Sequence, residues 1–153
     1  MQRRDEDANA VRASWRVVYT VWFAELAVVV AIWMGVPFAV PRGESEAGGA
    51  SLIAWIFYGI GLGDVALGWW FKERALAAAR GSTAAEAMGR LLGPSVVAVT
   101  LAMTPALLGL VLYLVFGHRL GFSVLCALSV AGFWLSRPRL EQWQEMVDAN
   151  RSP

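Results

Sequence analysis

The sequence predicts an all-α, polytopic membrane protein. It has four transmembrane helices at about 17–35, 51–71, 95–116 and 118–136, both termini on the cytoplasmic side, and a short amphipathic C-terminal helix. Three observations predict this. Hydrophobic residues make up 58% of the 153 positions, above the roughly 45–50% of soluble domains. They gather in four stretches, each close to the ~20 residues a helix needs to cross the hydrocarbon core. The 13 Lys and Arg are segregated, eleven in segments that four crossings place on one side and two on the other. Residues 1–153 read as a single four-helix transmembrane domain, too short to hold a soluble catalytic domain as well.

The first span is VVYTVWFAELAVVVAIWMG, Val17 to Gly35. It is longer than the 7–15 apolar residues of a signal peptide and lacks an A-x-A site after it, so it reads as an uncleaved helix. Arg3, Arg4, Arg12 and Arg16 precede it. The first connection, VPFAVPRGESEAGGA, carries Pro37, Pro41, Gly43, Gly48 and Gly49 and reads as an irregular loop in which Glu44 and Glu46 are solvated.

The second span, Ser51 to Phe71, carries Gly59, Gly61, Gly63 and Gly68. Gly59-xxx-Gly63 is a small-xxx-small face that lets two backbones approach closely. With no strand before it, the glycine run is not a phosphate-binding loop. The helix is expected to continue through KERALAAAR until Gly81. Thr83-x-x-Glu86 is a capping-box pattern, and it predicts a separate short helix over AAEAMGRLL ended by Gly93 and Pro94. The basic residues here read as a membrane-surface set rather than a partner-binding patch.

The third span, Ser95 to Phe116, has Pro105 at its middle, where it removes one backbone hydrogen bond and kinks the helix. Gly117-His118-Arg119 is a very tight connection that forces an antiparallel hairpin. His118 and Arg119 mark the membrane edge, with a headgroup phosphate as the alternative reading. The fourth span, LGFSVLCALSVAGFWL, is short and needs its flanks to cross. In the tail, Leu140, Trp143, Met146 and Val147 fall at helical spacing among polar residues. This predicts an amphipathic helix on the inner interface, or else a docking helix for a partner.

Orientation follows from the basic residues. The N-terminal segment, the second connection (Lys72, Arg74, Arg80, Arg90) and the tail (Arg137, Arg139, Arg151) oppose Arg42 and Arg119 alone. The positive-inside rule places the first set in the cytoplasm. The expected location is the cell inner (cytoplasmic) membrane, multi-pass. Trp15, Trp33, Trp69, Trp70 and Trp134 fall near span ends, where an amphipathic ring prefers the headgroup level, and Trp22 and Trp55 lie in the first turns of their spans.

Near balance between 13 basic and 12 acidic residues argues against a nucleic-acid partner. Cys126 is the only cysteine and His118 the only histidine. Neither an internal disulfide nor a Cys or His metal cluster can form, and no cofactor is implied. Cys126 lies in an apolar run and reads as a small hydrophobe. His118 with Glu44 or Glu46 is too little for an interfacial enzyme, so the chain reads as no enzyme.

Two carboxylates stand inside the spans, Glu25 and Asp64, and no Lys or Arg lies inside any span to pair with them. An acidic side chain at mid-bilayer costs about 2.5–3.5 kcal/mol on insertion scales, which makes it a candidate functional site. If the two meet, they could share a proton or bind a cation. The alternative is that each bonds a neighbouring helix, with Tyr19, Thr20, Tyr58, Thr100, Thr104 and Tyr113 as available partners.

Residues 51–117 resemble the helical hairpin of the rotary ATPase proteolipid, subunit c. The resemblance lies in GIGLGDVALG (Gly59–Gly68), the basic loop with Ala78-Ala79-Arg80, and LAMTPALLGLVLYLVF (Leu101–Phe116). It implies a glycine-packed hairpin with its polar loop in the cytoplasm. Matching Gly109-Leu110-Val111 to the family's pattern puts Met103 where the ion-binding carboxylate belongs, and Met carries no proton. The first and fourth spans have no counterpart. The resemblance implies a relative in fold, not a working rotor subunit.

Two functional expectations follow. One is a small non-catalytic membrane protein whose partners are the lipid bilayer and further copies of itself or other membrane subunits. Gly59, Gly61, Gly63, Gly68, Gly109 and Pro105 are then its helix-packing residues. The other is proton or cation binding or translocation through Glu25 and Asp64.

Overall fold

The computed structural model describes residues 2–40, 48–79 and 84–149. These form α1 (Gln2–Ala39), α2 (Gly48–Ala79), α3 (Ala84–Phe116), α4 (Arg119–Ser136) and α5 (Leu140–Ala149), with no strand among the described residues. Four of the helical stretches are long and apolar enough to cross a membrane. At 1.5 Å per residue, α1, α2 and α3, of 38, 32 and 33 residues, are about 57, 48 and 50 Å long. Helix α4, of 18 residues, is about 27 Å long. Against a hydrocarbon core of about 30 Å, α4 barely spans and the other three overshoot.

The overshoot lies at one end. At the hairpin end, Tyr113 Oη donates to the carbonyl of Val40 (2.7 Å), which levels the end of α1 with the end of α3. At the opposite, tail end, α4 stops at Ser136 while α1, α2 and α3 continue. There Val11, Val18, Ala75, Ala79, Ala87, Leu91 and Trp143 form a buried apolar cluster. Burial of Trp143 shows that α5 folds back onto this extension and spends part of its apolar face on protein. The side chains of Met146 and Val147 lie outside the described residues.

Two sequence expectations are corrected here. Helix α3 is unbroken from Ala84, so Gly93 and Pro94 do not end a separate helix. A proline keeps helical φ, but it forfeits the hydrogen bond to the residue four before it and its ring crowds that carbonyl, which bends a helix without having to end it. The buried Ala87 and Leu91 on one side and Ala98 and Val99 on the other hold the helix together across that gap. Likewise α1 does not end at Gly35: it runs through Pro37 to Ala39, with the Val40 amide still bonded to the Val36 carbonyl (2.9 Å). The Thr83 capping box, Gly81 and the loop around Glu44 and Glu46 lie outside the described residues.

Helices α3 and α4 form the centre, each packed on both α1 and α2, while α1 and α2 hardly touch one another. Helices α1 and α3 run parallel and in step. Ser14 meets Met88, Glu25 meets Thr100, and Val40 meets Tyr113, so the offset stays near 74 residues along the whole length. In lipid, no hydrophobic force drives helices together, so close van der Waals approach must do it. Small residues line the central contact: Ala98, Ala102, Ala106, Gly109, Cys126, Ser129 and Gly132 are buried. A Cβ added at Gly109 would stand 3.0 Å from Leu125 Cβ and 3.1 Å from the Phe122 carbonyl, and one at Gly132 would stand 2.9 Å from Val65 Cγ2. Ser129 Oγ donates to the Ala102 carbonyl at 2.5 Å, adding a polar bond to the same contact.

The α3–α4 turn takes two residues, Gly117 and His118, because Arg119 already belongs to α4. Gly117 takes φ +68°, the left-handed region that lacks the Cβ clash only for glycine, and its amide bonds to the Tyr113 carbonyl at 3.0 Å. This is the αL helix stop. The next helix starts at once, because His118 Nδ1 accepts a hydrogen bond from the Gly121 amide (2.8 Å). The membrane-edge histidine of the sequence reading is therefore the N-cap of α4. Gly121 leaves room for its ring, since a Cβ there would meet Nδ1 at 2.6 Å.

Candidate functional site

The two intramembrane carboxylates sit at one depth but on opposite sides of the bundle. Glu25 lies on α1, with the Thr100 side chain as its polar neighbour across the α1–α3 contact. Its Oε2 is buried without a partner. Asp64 lies on α2 between Gly61, which faces Pro105, and Gly68, which faces Ala98, so it stands level with Leu101 and Ala102, beside Thr100 in the chain. The central helices α3 and α4 separate α1 from α2. The shared site that the sequence allowed is therefore not assembled within one chain. Asp64 is half-buried and forms no hydrogen bond or ion pair among the described residues.

The other polar candidates are engaged elsewhere. Thr20 Oγ1 bonds the Arg16 carbonyl of its own helix (2.8 Å), Tyr113 bonds Val40, and Tyr58 meets Trp55 edge-on at 5.7 Å. Met103 is half-buried and packs in the α1–α3–α4 core. Among the described residues no three His, Cys, Asp or Glu side chains come together as a metal site.

The glycines of α2 divide by face. Gly61 and Gly68 are buried: an added Cβ would lie 3.2 Å from Pro105 Cβ at the first and 3.2 Å from the Ala98 carbonyl at the second. Gly59 and Gly63 are exposed on the other side, and an added Cβ at either meets nothing within 4 Å. The small-xxx-small pair that motivated a packing reading is turned away from the chain's own helices. Trp55 and Ile56 flank it toward one end and Trp70 toward the other, all exposed.

Sequence reasoning missed two roles. Lys72, the only lysine, reaches from α2 to the end of α4, where its Nζ donates to the carbonyls of Leu135 (3.0 Å) and Arg137 (3.1 Å). A cation at a helix C-terminus is favourable both as a donor and against the helix dipole. A lone lysine beside a tryptophan pair gave no local signal of this. Trp22 is not a headgroup-level ring: it is buried, and its Nε1 donates to the Phe133 carbonyl at 2.8 Å, locking α1 to α4. Trp55, Trp69, Trp70 and Trp134 remain exposed.

No protein-family model matches the chain, and no curated protein or solved structure does.

Proposed function

We propose that this chain is a non-catalytic integral membrane protein that works as a subunit, associating through the outer face of α2 with further copies of itself or with other membrane proteins. The observation that carries the reading is the orientation of Gly59 and Gly63. Glycine weakens a helix interior relative to alanine, and in lipid its use is close backbone approach. At Gly61 and Gly68 a neighbouring helix makes that approach; at Gly59 and Gly63 no helix of this chain does. The segregation of basic residues supports an inner-membrane placement with both termini in the cytoplasm, with α5 on the cytoplasmic side. Residues 51–117 would then form a proteolipid-like hairpin serving assembly rather than ion transport.

The test compares wild type with the Gly59→Leu/Gly63→Leu pair in lipid nanodiscs and mild detergent, with Gly35→Leu as control, because Gly35 is also exposed and uncrowded. The expected outcome is an assembly in the wild type and the control that the paired variant loses. A wild type that is monomeric in lipid, and that brings no partner from native membranes, removes the proposal.

A second reading has one observation in its favour, the unpartnered Oε2 of Glu25 beside Thr100. A carboxyl so placed can exchange a proton with a partner's group or with the lipid face. Hydrophobic carbodiimide should label Glu25, and Glu25→Gln should abolish the label. Persistence of the label in that variant, or none in the wild type, ends this reading.

A further inference from the structure

Where α4 stops, the tail end of the bundle has a recess of about 660 Å³, lined by Trp15 and Tyr19 of α1, by Arg137 and Arg139 of the α4–α5 connection, and by Glu141 in the first turn of α5. We propose that this recess holds the phosphodiester headgroup of one anionic membrane phospholipid.

Its level favours a lipid. The final turn of α4 presents the apolar Trp134 and Leu135 outward, both exposed, and the recess opens just beyond them, past the end of that helix. Its walls are built rather than loose. Trp15 Nε1 donates to the Pro138 carbonyl at 3.3 Å, which pins α1 to the connection. Trp15 stacks on Tyr19 (centroids 4.9 Å apart), and Tyr19 on Trp22 (5.5 Å), so an aromatic ladder descends from the recess toward the membrane interior. Aromatic rings of this kind sit well at the headgroup–acyl boundary.

Its charge favours an anion. Two guanidinium groups face one carboxylate, and neither Arg137 nor Arg139 is in an ion pair among the described residues. Arg137 lies over the Trp134 ring at 5.9 Å. Lys72, held on the carbonyls of Leu135 and Arg137, stands at the same end of the bundle, with Glu73 and Arg139 both near enough to act on its charge. Guanidinium groups match phosphate oxygens in geometry as well as charge. Below the rim, exposed Phe23, one turn beyond Tyr19 on the same face of α1, offers a surface along which an acyl chain can run.

The test is native mass spectrometry of the delipidated full chain with phosphatidylglycerol or phosphatidylcholine as probe. One phosphatidylglycerol should be retained about tenfold more strongly than phosphatidylcholine. Arg137→Gln/Arg139→Gln should lose that preference, and Arg119→Gln, at the other end of the bundle, should keep it. Equal retention of the two lipids overturns the proposal, as does an unchanged preference in the double variant. Displacement of the lipid by inorganic phosphate assigns the recess to a soluble phosphate ester and overturns it too. Should the double variant misfold, a photoactivatable phosphatidylglycerol on the wild type decides. Adducts at residues 15–19 or 137–141 support the site, and adducts confined to other segments refute it.

Discussion

The two faces of α2 carry the same residue type, four residues apart on one face and seven apart on the other, and lead opposite lives. On the inner face, Gly61, Val65 and Gly68 meet Pro105, Gly132 and Ala98, and every missing Cβ is space that another helix has taken. On the outer face, Gly59 and Gly63 leave a shallow groove between exposed Trp55 and Trp70 that this chain does not fill. The difference teaches that a glycine pair in a lipid-embedded helix has no meaning until the helix's rotation is known. Turned inward it is intramolecular packing; turned outward it is available to another molecule.

Substitution separates the two kinds of glycine, and the largest effect belongs to the central contact. Gly109→Leu forces atoms against Leu125 Cβ and the Phe122 backbone, which cannot step aside as a side chain end could. A loss of about 3 kcal/mol or more is expected, read as a lowered melting temperature in detergent or failure to reach the membrane intact. A Gly109→Leu protein as stable as wild type would break the distinction. Gly61→Ala, whose Cβ meets Pro105 and Leu125 at 3.2–3.3 Å, should cost about 1 kcal/mol.

The outer pair should behave with the opposite sign. Gly59→Ala/Gly63→Ala removes backbone freedom from the unfolded chain without meeting any neighbour, so the monomer should gain about 0.5–1 kcal/mol. Assembly through that face should weaken at the same time. A destabilised monomer would mean that the groove is not open. The smallest effect is expected at Ser129→Ala, which deletes the Ser129–Ala102 bond. Interhelical bonds of this kind average about 0.6 kcal/mol, measurable as a small shift in an SDS or thermal unfolding curve.

The tail end offers the other contrast between reading and structure. Charges there were legible as a count, and the count supports an orientation. What Lys72 bonds, which wall Arg137 and Arg139 share with Trp15 and Tyr19, and the burial of Trp143 were not legible. Each depends on α4 stopping two turns or more before its neighbours, a difference visible only once the helices are set side by side. Likewise Glu25 and Asp64 could be placed at similar depth from their positions in the spans, but not on opposite sides of α3 and α4.

Sequence alone determined the helical class, the four apolar spans, the α3–α4 hairpin at Gly117 and the unusual presence of two intramembrane acids. These follow from length, hydropathy and turn chemistry, all local properties. Tertiary structure alone decided which face of each helix looks inward, which helices are neighbours, and that α3 runs unbroken through Pro94. The physical reason is the solvent. In water a helix advertises its buried face by an apolar stripe. In lipid both faces are apolar, so rotation and partner choice are set by shape, through glycines and alanines whose small size reads the same on either side.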